Sequence, residues 1–136
     1  MKRSATAKWS GSGKEGKGTI TSQSKILNET SYTFRTRFEE AEGTSPEELI
    51  AAAHASCFTM KLSFLIDDAG ARPGSLETTC TVTIEDGVIN NSHLVVKGKV
   101  EGITGEKFQE CAEDSRKNCP VSKALNTDIT MEAHLV

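Results

Sequence analysis

The chain has 136 residues, with 16 basic and 19 acidic side chains and a net charge of −3. This length predicts a single domain, residues 1–136, and the absence of a block of like charge argues against nucleic acid and membrane partners. The start of the chain, "MKRSATAKWSGSG", has no apolar segment after its basic residues. No secretory leader is therefore predicted, and we expect a cytoplasmic protein.

Three strands are predicted before the first long helix. Apolar and polar residues alternate from Ser4 to Ser10, and the glycine-rich "GSGKEGKG" separates this strand from "TITSQS", which indicates a hairpin. Alternation returns from Tyr32 to Glu39. A strand over these residues would place Arg35 and Arg37 on one face.

A long helix is predicted from about residue 46 to about residue 69. Ser45 suits the N-cap, Pro46 the first helical position, and Glu48 the third position of a capping box, while Gly70 is a natural stop. Apolar side chains lie around more than half of its circumference, which indicates a central helix that is covered on several sides.

The remaining elements complete a mixed fold. Alternating strands are predicted around 78–85, 94–100 and 129–135, with a helix from about 105 to 117 and a short helix at "PVSKAL" before the last strand. The order β-β-β-α-β-β-α-β, with polar outer faces on most strands, predicts an α+β domain whose antiparallel sheet wraps a long helix.

Three of the four cysteines can be interpreted from their positions. Cys80 lies on the apolar face of a strand and is interpreted as a small core residue. Cys111, in a helix, is interpreted as a structural or spare thiol. Cys119 directly precedes Pro120 at the start of a helical turn, where unpaired backbone N–H groups and the helix dipole favour a thiolate.

Cys57, in the middle of the long helix, allows four interpretations. It could be a core cysteine, or a zinc ligand with His54, although no CxxC or HxxxH pair supplies further ligands. It could be the nucleophile of an acyl transfer, although nothing specifies a third group to orient the histidine. It could be a redox thiol, which needs a nearby cation and a second cysteine. His54 itself is interpreted as a packed core histidine.

Three segments, "AKWSG...GKGTI", "YTFRTRFEEAEGTSPEELIAAAHASCFTMKLS" and "NCPVSKAL", resemble the osmotically inducible protein C (OsmC) family, a sister branch of the organic hydroperoxide resistance proteins. The resemblance implies a thiol-dependent peroxidase that reduces organic hydroperoxides, and hydrogen peroxide less well. It also implies an intertwined homodimer in which antiparallel sheets wrap two long helices. No bound cofactor is implied; the reductant would be an external dithiol, typically the lipoyl group of a lipoylated protein.

The family's site residues fall on four positions of this chain. The peroxidatic cysteine corresponds to Cys57, the resolving cysteine to Cys119, the arginine to Arg37 and the glutamate to Glu47. Arg37 would stabilise the thiolate, Glu47 would hold Arg37 by a bidentate pair, and Cys119 would convert the Cys57 sulfenic acid to a disulfide. The alternative is a non-catalytic or zinc-binding protein of the same fold.

Helix geometry adds a prediction about assembly. Glu47 and Cys57 are ten residues apart, about 15 Å along one helix and roughly 80° around it, so they cannot share a pocket within one chain. Either the helix breaks between them or Glu47, together with Arg37, serves the site of a second subunit. We therefore expect an obligate homodimer with two composite active sites.

Overall fold

The computed structural model describes all 136 residues, and the chain divides into two compact units, Met1–Leu49 and Ile50–Val136. The first unit contains a three-stranded antiparallel sheet in the order β1-β2-β3, which confirms the predicted hairpin; its strands are β1 (Ala5–Ser10), β2 (Lys17–Ser22) and β3 (Thr30–Tyr32). The Trp9 and Tyr32 rings pack across this sheet with centroids 5.3 Å apart. Gly18 lies beneath them, where an added Cβ would stand 2.6 Å from the Trp9 ring, so only glycine fits.

The strand predicted from Tyr32 to Glu39 is wrong beyond Tyr32. The chain instead forms a short helix, α1 (Phe34–Phe38), with Thr33 as its N-cap. The Thr33 hydroxyl accepts a hydrogen bond from the Thr36 N–H at 3.2 Å, and the Thr36 hydroxyl accepts one from the Thr33 N–H at 2.7 Å. Because neighbouring helical residues are about 100° apart, Arg35 and Arg37 point to different sides of α1 rather than to one face.

The long helix is present as predicted, from Pro46 to Asp68 (α2). Ser45 accepts a hydrogen bond from the Glu48 N–H at 3.1 Å, whereas the Glu48 carboxylate accepts one from the Thr44 hydroxyl at 2.8 Å. Only half of the capping box therefore forms as predicted. After the helix, Gly70 adopts φ of 83°, the left-handed conformation that commonly ends a helix.

The second unit is built on a sheet in the order β4-β5-β6, with strands β4 (Arg72–Glu85), β5 (Val88–Glu101) and β6 (Asp128–Leu135). β4 and β5 form an antiparallel hairpin, but β6 pairs with β5 in parallel, so the prediction of an antiparallel sheet is wrong for this strand. The reason is the connection: two helices, α3 (Gly105–Asn118) and α4 (Pro120–Ala124), return the chain to the start of β5.

The core of the second unit lies between α2 and this sheet. One stripe of α2 is fully buried, at four-residue spacing, and it packs with apolar side chains of β5 and α3; the stripe consists of His54, Phe58, Leu62 and Ile66. Elsewhere on α2, Met60 is 66% exposed and Phe64 is 64% exposed. The expected covering on several sides is therefore not provided within one chain.

Candidate active site

The fold brings Cys57 and Cys119 together. Cys57 lies in the middle of α2, and Cys119 ends α3 and is the N-cap of α4, with Pro120 at the first helical position as predicted. Cys57 is partly exposed and Cys119 is fully buried. The two thiols are within hydrogen-bonding reach, and neither is in a disulfide. The structure therefore places the two thiols close enough to interact directly.

The surroundings of Cys57 within its own unit do not favour a thiolate. Burial raises the pKa of the Cys57 thiol above its ordinary value, and the neighbouring Cys119 raises it further. A hydrogen bond from the Val121 N–H to Cys57 acts in the opposite direction and lowers the pKa. No cation contributes to this balance. No positive charge among these neighbours would stabilise a Cys57 thiolate.

Cys119 is held by Ser122, one turn further along the chain. The Ser122 N–H donates to Cys119 Sγ at 3.4 Å, and the Ser122 hydroxyl lies 3.0 Å from the same sulfur. Ser122 Oγ also lies 2.7 Å from His54 Nε2. The second cysteine of the pair is thus connected through one hydroxyl to an imidazole in α2.

His54 is fully buried, which confirms that it packs in the core. Its second nitrogen, Nδ1, lies 2.6 Å from the Ser92 hydroxyl on β5, and Ser92 Oγ lies 3.2 Å from Cys80 Sγ on β4. Burial lowers the pKa of the His54 imidazole below its ordinary value of 6.5, so the ring is neutral near pH 7. A neutral ring has one donor and one acceptor nitrogen, and both are used here.

The other two predicted site residues meet in the first unit. Arg37 Nε donates to Glu47 Oε1 at 2.7 Å, with the Arg37 side chain 43% exposed and that of Glu47 8% exposed. The predicted bidentate pair is not found: Glu47 Oε2 is buried without a partner, and the two terminal nitrogens of Arg37 donate no hydrogen bond. Arg35 pairs instead with Glu39 at the surface, at 3.2 Å. The two arginines therefore have different partners.

Helix α2 is continuous from Pro46 to Asp68, so the alternative in which it breaks between Glu47 and Cys57 is wrong. The four predicted residues form two pairs, Arg37 with Glu47 in Met1–Leu49 and Cys57 with Cys119 in Ile50–Val136.

The other cysteines match their interpretation as structural thiols. Cys111 is buried against the Leu65 carbonyl, and Cys80 is partly buried. The structure contains no group of three or more His, Cys, Asp or Glu side chains that could hold a metal ion. Sequence reasoning missed Ser92 and Ser122. Ser122 lies within the quoted "CPVSKAL", whereas nothing in the sequence points to Ser92, which is 38 residues from His54.

The chain is similar to known proteins over most of its length. The family model for OsmC-like proteins matches residues 39–134. "Peroxiredoxin OsmC" of Escherichia coli K12 is 41% identical over 133 residues, which cover 95% of this chain and 93% of that protein. "Organic hydroperoxide resistance protein-like 1" of Staphylococcus epidermidis is 32% identical over 72% of this chain and 76% of that protein.

Solved structures show the same fold. An OsmC-like protein from Mycoplasma pneumoniae matches with a TM-score of 0.77 at 14% identity and covers 100% of this chain and 98% of that one. An organic hydroperoxide resistance protein from Elizabethkingia anophelis matches with a TM-score of 0.70 at 25% identity, over 97% of this chain and 94% of that one. By sequence and by fold, the chain belongs to the OsmC-like protein family.

Proposed function

We propose that this protein is a thiol peroxidase that reduces organic hydroperoxides, and hydrogen peroxide less well. The observation that carries the proposal is the pair of reduced cysteines, Cys57 and Cys119, placed within reach of each other in a member of the OsmC-like family. The relative named as a peroxiredoxin, at 41% identity, supports the same activity.

The proposed reaction has two steps. The Cys57 thiolate attacks one oxygen of the hydroperoxide, the O–O bond breaks, and the products are a Cys57 sulfenic acid and an alcohol. The Cys119 thiol then attacks the Cys57 sulfur, the S–O bond breaks, and a disulfide and water are formed. The burial of Cys119 suits this role, because a thiol shielded from solvent is used by its neighbour rather than by external oxidants.

We propose that Arg37 and Glu47 of a second subunit complete each site. Cys57 has no cation among the groups that act on its pKa, while Arg37 has two terminal nitrogens without a partner. Since α2 is continuous, Glu47 of the same helix stays about 15 Å from Cys57 along the axis. A guanidinium from a second copy would supply the charge that stabilises both the thiolate and the departing alkoxide.

The exposed apolar side of α2 fits the proposed homodimer. Met60 and Phe64 lie on it, beside an open groove of about 760 Å³ that runs between α2 and the segment from Pro73 to Thr78. By length and a mean hydropathy of 1.6, α2 could also cross a bilayer, but core helices of soluble proteins meet the same criterion. The polar His54 and Lys61 within α2 argue against a bilayer, and the exposed apolar side then fits packing against a second copy.

We also propose that the two units act as one domain, residues 1–136, because the E. coli relative aligns with 95% of the chain. The protein would work in the cytoplasm without a bound cofactor. An external dithiol such as the lipoyl group of a lipoylated protein would reopen the Cys57–Cys119 disulfide by thiol–disulfide exchange.

The test is consumption of cumene hydroperoxide by the purified protein with dihydrolipoamide as reductant. We expect turnover by the wild-type protein and by Cys111→Ser, the matched control, and none by Cys57→Ser. A wild-type protein that consumes no hydroperoxide would disprove the activity. Stoichiometric zinc by emission spectroscopy would then favour the metal-binding alternative.

A further inference from the structure

A continuous chain of hydrogen-bonding groups crosses the core of the second unit. It runs from Cys119 Sγ to Ser122 Oγ (3.0 Å), from Ser122 Oγ to His54 Nε2 (2.7 Å), and from His54 Nδ1 to Ser92 Oγ (2.6 Å). Both groups are buried: the relative exposure of His54 is 0%, and that of Ser122 is 6%. Both nitrogens of His54 therefore find their partners in these two serine hydroxyls, and Ser92 also contacts Cys80.

The order of donors in this chain follows from the chemistry of the groups. With its proton on Nδ1, His54 donates to Ser92 and accepts at Nε2 from the Ser122 hydroxyl. Ser122 Oγ is then free to accept a hydrogen bond from the Cys119 thiol. In this arrangement every proton points from Cys119 toward His54, so a proton can leave the thiol along the chain.

We propose that His54, acting through the Ser122 hydroxyl, is the base that removes the proton of the Cys119 thiol when Cys119 attacks oxidised Cys57. The inference rests on the proposed function for its oxidant, the hydroperoxide that produces the Cys57 sulfenic acid. His54 touches neither sulfur that reacts in this step, so it acts on Cys119 only through Ser122.

Two protons move as the disulfide forms. The Cys119 proton moves to Ser122 Oγ while the Ser122 proton moves to His54 Nε2, and the Cys119 electron pair forms the S–S bond. The Cys57 S–O bond breaks, and the hydroxide that leaves takes a proton from solvent to become water. His54 then releases its proton to solvent, so the net products of the sulfenic acid and the thiol are one disulfide and one water.

The environment of His54 fits a base that works near neutral pH. Burial alone keeps the pKa of the imidazole low, and no charged side chain contributes. The titratable groups that face it are Cys80 from β4, with Sγ 3.9 Å from Nδ1, and Cys119 through Ser122. The ring is therefore neutral and able to accept a proton at the pH at which the protein would turn over.

The experiment follows the attack by Cys119 without any hydroperoxide. An aryl disulfide reagent, dithiobis(nitrobenzoate), releases one aryl thiolate when it reacts with the partly exposed Cys57. A second is released when Cys119 attacks the resulting mixed disulfide. Cys119→Ser identifies the second phase by abolishing it, and mass spectrometry locates the disulfide.

We expect the second phase to slow about 10²-fold or more in both His54→Gln and Ser122→Ala, the range of general-base effects. Ser115→Ala, which removes a hydroxyl equally buried but bonded to the Phe58 carbonyl at 2.8 Å, should keep the wild-type rate. In the wild-type protein the rate of the second phase should show an inflection below pH 6.5, at the lowered pKa of His54, and His54→Gln should lose this inflection.

The inference is overturned if Ser122→Ala behaves like Ser115→Ala, or if His54→Gln keeps the wild-type rate and acid dependence. Should His54→Gln fail to fold, Ser122→Ala decides the question alone. A wild-type protein that shows the expected second phase but consumes no hydroperoxide would disprove the peroxidase function and leave the role of His54 intact.

Discussion

Arg37 donates to Glu47 through Nε alone, at 2.7 Å, and the second carboxylate oxygen of Glu47 is buried without a partner. A single hydrogen bond from Nε holds the guanidinium and leaves both terminal nitrogens without a hydrogen-bond partner. Arg37 therefore keeps its terminal N–H groups available for a further anion. The proposed anion is the Cys57 thiolate, or the hydroperoxide bound beside it.

Arg37→Ala should therefore slow the oxidation of Cys57 far more than Arg35→Ala does. Loss of one preorganised cationic donor commonly reduces a rate by about 10²- to 10³-fold. Arg35 is the matched control, because it lies in the same short helix and pairs at the surface with Glu39. The rate of Cys57 oxidation by cumene hydroperoxide, measured in a single turnover, provides the comparison. Equal losses would show that the site does not distinguish the two arginines.

Mixed dimers should restore activity if the sites are composite. Cys57→Ser and Glu47→Ala are each expected to be inactive as pure proteins. When the two are unfolded together and refolded, a mixed dimer contains one site with an intact Cys57 and an intact Glu47. Peroxidase activity should then reappear at a fraction of the wild-type level. Refolded mixtures that stay inactive would rule out sharing of the site between subunits.

Oxidation should join Cys57 to Cys119 and to no other cysteine. After one equivalent of hydroperoxide, peptide mapping by mass spectrometry should find this disulfide, and Cys57→Ser should not form it. Cys57 is also expected to be the thiol alkylated first at neutral pH, because it alone has a candidate cation partner in the dimer. A bridge to Cys111 would show that the resolving cysteine is misassigned.

His54 should make the stability of the fold depend on pH. Its pKa in the folded state is below the ordinary value of 6.5, so the unfolded chain binds more protons in the interval between the two. Stability is therefore complete above about pH 6.5 and is lost as the pH falls toward the folded-state value. Urea unfolding between about pH 7 and pH 5 measures this loss, which His54→Gln should reduce. An unchanged slope in that variant would contradict the lowered pKa.

The helices α2, α3 and α4 and most strands of this fold were predictable, because caps and alternation are local signals. The segment Phe34–Phe38 was not, because a spacing of four residues between Phe34 and Phe38 fits both a strand face and a helix face. In the structure the centroids of these two rings are 4.9 Å apart on the same side of the helix. The reciprocal hydrogen bonds of Thr33 and Thr36 favour the helix over the strand.

The sequence identifies which residues belong to the site, but it does not reveal which side chains contact one another. The resemblance of "PEELIAAAHASCF" and "CPVSKAL" to a family selects Cys57 and Cys119, and the structure places them side by side. The partners of His54 lie 38 and 68 residues away, so no local pattern can reveal them. The parallel direction of β6 relative to β5 could not be predicted either, because apolar and polar residues alternate in the same way in parallel and antiparallel strands.

The parallel pairing of β6 with β5 places Cys119 in the crossover that joins these strands. A bond from Cys119 to Cys57 would therefore tie this crossover to α2 and close a covalent loop of about 60 residues, which restricts the unfolded chain by about 4 kcal/mol. The oxidised protein would resist unfolding more than the reduced protein. Its thermal transition would then report its redox state, and a dithiol that reopens the bond would act against this added stability.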